Sequence, residues 1–169
     1  MEMDERRNAL VRTLRDRMNR EADLFGELSR EVECLRESFQ RKDWAPSLAI
    51  TEGIGRFARA IEEADAARDE QFESLRDALD LPRETTMSGI LPRVPDGERA
   101  ELEESWRALR MSVLRLKTAT GRLRYSAETL ADTLNKVLEE VFPYRKGKIY
   151  SRKGTPTSVG GAVLVDRKL

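Results

Sequence analysis

Histidine is absent from this chain and cysteine occurs once, at Cys34. Without imidazole there is no Ser-His-Asp or Cys-His nucleophile, and the commonest metal ligand is gone as well. A single thiol forms no internal disulfide and no cysteine zinc cluster; it reads as an incidental surface group in a reducing compartment. Acidic pairs remain at Glu62-Glu63, Asp69-Glu70 and Glu139-Glu140. A carboxylate-bridged di-metal site on facing helices needs Glu-x-x-His, which this chain does not supply. Adjacent acids also point to different helix faces, so these pairs read as solvated surface. Gly53 and Gly55 are a poor phosphate loop: no strand precedes them and no third glycine follows at the required spacing. They fit close helix packing or a slight kink. The chain is thus expected to be no enzyme, with no catalytic residue, metal or cofactor, and its chemistry reduces to binding.

Where a binding surface would lie depends on the elements that carry it. Of the 169 residues, 39% are hydrophobic and 37% charged, with few aromatics. That balance suits long amphipathic helices with solvated outer faces. Val11, Leu14, Met18, Phe25, Leu28, Val32, Leu35 and Phe39 step by three or four, with Glu21 as the interruption, and predict a first helix over 4–41. Asp43 is a good N-cap for a second, over 43–81, with Trp44 at its start and Pro46 in its first turn. Its seam, through Leu48, Ile54, Phe57, Ile61, Phe72, Leu75 and Leu79, is broken by Asp65 and Arg68. Three prolines and two glycines make 82–97 a loop, whose Ile90, Leu91 and Val94 either fold back on the bundle end or reach outside it. The third helix, over 98–142, has the most regular stripe: Leu102, Trp106, Leu109, Val113, Leu116, Thr120, Leu123, Ala127, Leu130, Leu134, Val137 and Val141. Pro143 ends it.

Three such helices pack their stripes together as an elongated, up-down-up antiparallel bundle with coiled-coil-like seams. The expected fold is therefore all-α, with a bundle over 1–142 and a basic, Gly/Thr-rich flexible tail over 143–169. Thr120 and the Asp65/Arg68 pair are candidates for fixing register. Formal net charge is zero, yet from Pro143 onward seven Lys or Arg meet only Asp166, so a tail of +6 follows a body of −6. An acidic body argues against a nucleic-acid binder. No apolar run at the start resembles a signal sequence and no window approaches a membrane span, so a cytoplasmic location is expected.

The tail offers Val159 and the β-prone run of Ala162, Val163, Leu164 and Val165, too short to fold alone and better buried on a partner. Leu138 and Phe142 lie off the core stripe of the third helix and extend an apolar face toward it. Leu130, Leu134 and Val137 are assigned to the bundle.

Several stretches resemble the FlgN family of flagellar export chaperones: the long first helix, ARDEQFESLRDALDL, LRLKTATGRLRYSAETLADTLNKVLEEVF, and the closing IYSRKG and LVDRKL. Arg68, Phe72, Leu75 and Leu79 approximate the family's Arg followed by paired leucines. Tyr150, Gly154 and Asp166-Arg167-Lys168 match its ending, while Thr120-Gly121 stands where the family has Asn-Gly. The resemblance implies a cytoplasmic, ATP-independent chaperone. It would hold hook–filament junction (hook-associated) proteins by their C-terminal helical segments and pass them to the flagellar export gate. It also implies substrate contact in the C-terminal half and a tail disordered until bound. The partner-binding residues are then expected to be Leu138, Phe142, Tyr144, Tyr150, Val159, Val163, Leu164 and Val165. A self-associating coiled-coil scaffold and an accessory nucleic-acid binder are the alternatives; a homodimer is left open.

Overall fold

The computed structural model describes residues 2–141, 149–150 and 156–157, with side chains described over 5–141. It is helical as expected: α1 (Glu2–Arg41), α2 (Ser47–Ala78), a short α3 (Met87–Ile90) continued by a 3-10 turn (Leu91–Arg93), and α4 (Asp96–Val141). Two compact units are distinguished, Met1–Ala127 and Glu128–Leu169.

In the first unit α1 and α2 run antiparallel. Arg7 Nε donates to the Ala78 carbonyl at 3.1 Å, Gln71 Nε2 to the Leu10 carbonyl at 3.1 Å, and Ser38 meets Ser47 at the other end. The turn between them uses a left-handed residue, Lys42, at φ 57°. Lys42 N–H bonds to Phe39 O and Asp43 N–H to Ser38 O, the pattern that ties off the last carbonyls of a helix. Asp80, at φ 53°, repeats that closure at the end of α2. Asp43 is not the N-cap of α2. Its carboxylate accepts the Ala45 N–H at 3.3 Å in a local turn, and α2 starts at Ser47 behind Pro46 with no side-chain cap bond. Leu48, expected in the seam, is 70% exposed. Trp44 lies against Phe39, ring centroids 5.6 Å apart.

Side-chain pairs from α1 to α4 keep a nearly constant offset: Arg12 to Glu98 and Arg15 to Glu101, each 86 residues apart, and Glu33 to Arg122, 89 apart. The two helices therefore run in the same direction over this unit. One core gathers Val11, Leu14, Met18, Leu75, Leu102 and Leu109; a second gathers Leu28, Val32 and Ala119.

The loop after α2 folds back. Met87, Ile90 and Val94 are buried in the first core. Arg99 holds the segment by donating to the carbonyls of Leu91, Pro92 and Val94, and Arg76 donates to that of Arg83. Charged donors on backbone carbonyls let a proline-rich segment lacking regular partners sit against a core.

The buried line of α4 is Leu102, Ser105, Leu109, Ser112 and Ala119. Trp106 is half-buried, Val113 is 41% exposed, and Thr120 is exposed, its hydroxyl bonded to the carbonyls of Leu116 and Lys117. The inward face is thus turned by about 50° from the one expected, at 100° per residue. Thr120 is not a seam residue, and small side chains at every seventh position meet the core instead. Gly53 is buried beside Glu31 but a Cβ there would make ordinary contact at 3.6 Å, and at Gly55 it would meet open space. Neither glycine is required by packing.

The second unit contains α4 from Glu128 to Val141 and a two-residue antiparallel ladder pairing Ile149 with Thr157 and Tyr150 with Pro156.

Candidate partner-binding surfaces

The last three turns of α4 are amphipathic and uncovered. Every residue from 131 to 141 is exposed, including Leu134, Val137 at 47%, Leu138 at 38% and Val141. At 100° per residue, Leu130, Leu134, Val137, Leu138 and Val141 fall within an arc of about 100°. Glu128, Asp132, Lys136, Glu139 and Glu140 lie around the opposite side. This corrects the assignment of Leu134 and Val137 to the bundle, and it unites them with Leu138 as one face.

Of the other residues expected to bind a partner, Phe142, Tyr144, Val159, Val163, Leu164 and Val165 lie outside the described residues. Tyr150 is placed only by its backbone, in the short ladder.

A second surface lies wholly within the first unit. Met18 and Phe25 of α1, Phe72 of α2, Met87 of α3, and Trp106, Leu109, Val113 and Leu114 of α4 line an open groove of about 590 Å3. The outward turn of the Trp106/Val113 line creates it. Along one edge runs a charged cluster. Arg68 Nε donates to Glu21 Oε2 at 2.6 Å, and the same guanidinium pairs with Asp65 and, at 2.8 Å, with Asp69. Glu21 is 3% exposed. Burial pushes its carboxyl above the ordinary value, against the pull of Arg68. On the opposite edge the Arg110 guanidinium sits 5.1 Å from the centroid of Trp106.

Sequence reasoning noticed Glu21 and Arg68 separately, as breaks in two seams; their pairing is a fact of register. The Trp106/Val113 line was read as core because it is apolar at the right spacing, and only the small residues beside it signal otherwise. Among the described residues no helix is long and apolar enough to cross a membrane.

A family model described as FlgN protein matches residues 3–158 of the chain. The matched span ends before Val159, so the AVLV run and the closing Asp166-Arg167-Lys168 lie beyond it. No curated protein and no solved structure matches.

Proposed function

Because this chain belongs to the FlgN family of flagellar export chaperones, we propose that it binds C-terminal helical segments of hook-associated junction proteins in the cytoplasm, keeps them soluble, and delivers them to the export gate. The observation that carries the reading is the unpartnered apolar face of α4 formed by Leu130, Leu134, Val137, Leu138 and Val141. An aggregation-prone amphipathic segment has a matching stripe, and laying one against the other removes both from water. Each large apolar side chain fully buried contributes about 1.5–3 kcal/mol. Only the surplus over lost freedom appears as affinity.

In this reading α1, α2 and α4 form an up-down-up bundle through the first unit. Residues 143–169 act as an interaction arm, with Phe142, Tyr144, Tyr150, Val159, Val163, Leu164 and Val165 adding apolar contact and the basic residues steering. Folding such an arm onto a client costs about 2–5 kcal/mol of the gross interaction. The resulting affinity is moderate, which suits a carrier that must release its load.

The test is calorimetry of the full chain and of a chain lacking 143–169 against a synthetic C-terminal segment of a junction protein. Loss of affinity with unchanged helicity supports the arm; unchanged affinity removes it from the proposal. The same exposed α4 face favours a second reading, a self-associating scaffold, in which two copies pair through identical stripes. Sedimentation separates the two: the scaffold is a concentration-dependent dimer that client segment does not dissociate.

A further inference from the structure

The groove between α2 and α4 has none of its lining residues in the face proposed for the client, and its form is specific. Its apolar walls repeat at seven residues on two helices, Met18 and Phe25 on α1 and Trp106 and Val113 on α4, and α2 adds Phe72. Sites two helical turns apart on two roughly aligned walls match the i, i+3/i+4, i+7 knobs of another helix. The groove's outer lip, Val113 and Leu114, is 41% and 53% exposed, so its apolar surface is open to a further helix.

Charge selects among helices. On the α2 edge three carboxylates, Glu21, Asp65 and Asp69, share one guanidinium, Arg68, and two of the three face solvent. The edge keeps an excess of negative charge beside an apolar trough. Arg110, on the far edge, is engaged with Trp106. We propose that this groove docks an amphipathic helix of a second protein, apolar on one face and basic along the flank that lies against α2. It is a site additional to the α4 face, and it gives the chain two helix-binding surfaces.

Trp106 supplies the readout. The chain has two tryptophans, and Trp44→Phe leaves Trp106 alone in the groove. Two 18-residue peptides with the same leucine face, one flanked by lysine and one by glutamate, are titrated into the full chain carrying that change. The lysine peptide is expected to blue-shift Trp106 emission saturably and to bind at least tenfold more tightly than the glutamate peptide. Val113→Asp, and separately Leu114→Asp, should weaken it at least tenfold although each adds negative charge. Asp65→Asn with Asp69→Asn should narrow the preference between the peptides. Equal binding of the two peptides, no shift of Trp106, or undiminished lysine-peptide binding by both aspartate variants would overturn the proposal; the last result would mean attraction to surface charge alone.

Discussion

Glu21 and Arg68 show how a single residue pair sets the relation of two helices. A buried carboxylate whose partner is removed becomes an uncompensated charge, whereas a guanidinium with two other acids at hand does not. Arg68→Met should therefore cost about 3 kcal/mol near neutral pH. Glu21→Gln should cost less than about 1 kcal/mol, because Arg68 keeps Asp65 and Asp69. The pH dependence has a definite sign. Burial raises the Glu21 carboxyl above its ordinary value of 4.5, so the folded state holds that proton more tightly and the group's contribution falls as pH rises through the window above 4.5. In Arg68→Met the carboxyl rises further, and the deficit should shrink on acidification. Glu33 behaves oppositely: its hydrogen bond from Arg36 lowers it, so its contribution is present above the ordinary value and lost as pH falls through the lowered one. Urea unfolding of Arg68→Met and Glu21→Gln between about pH 4 and 7 reads the Glu21 slope directly. The sequence marked Glu21 and Arg68 as breaks in apolar stripes, but a stripe cannot say which break faces which; that needs the register of α1 against α2.

Among the elements, apolar periodicity locates α1 and α4 but does not identify the face that α4 buries. Leu102 and Leu109 were read correctly, since a leucine line at every seventh position belongs to the core under either rotation. Hydropathy predicts Trp106, Val113 and Thr120 as the second line, two of them apolar, whereas the buried one is Ser105, Ser112 and Ala119. These small residues are buried, and hydropathy alone gives them no weight as core. Ser112→Leu should overpack this line and destabilise by about 1–3 kcal/mol, while Thr120→Ala should stay within about 0.5 kcal/mol. Gly55→Ala, with open space around the new methyl, should raise stability by about 0.5–1 kcal/mol. Thermal melts of the three variants are sufficient. The start of α2 was misplaced for a local reason: Asp43 was an equally good capping or turn residue, and the turn won. Whether the 82–97 loop folds back depended on Arg99 and Arg76 finding its carbonyls, a long-range outcome that composition does not encode.

For the whole molecule, the absence of histidine and the long stripes were enough to point away from catalysis and toward helix-mediated binding, and the family match agrees with that direction. What the stripes concealed is where the core ends. Leu134 and Val137 continue the seam in sequence, yet both are exposed, and a stripe assigned to the core becomes a surface. This surface is proposed to hold the client. The most direct measurement is site-specific photocrosslinking, with a benzophenone side chain placed at Leu138 on the apolar face or at Asp132 on the polar face of the full chain. Mixed with the C-terminal segment of a hook-associated protein and irradiated, the Leu138 position should form a client adduct and the Asp132 position should not. An adduct from Asp132 alone, or equal adducts from both, would contradict it.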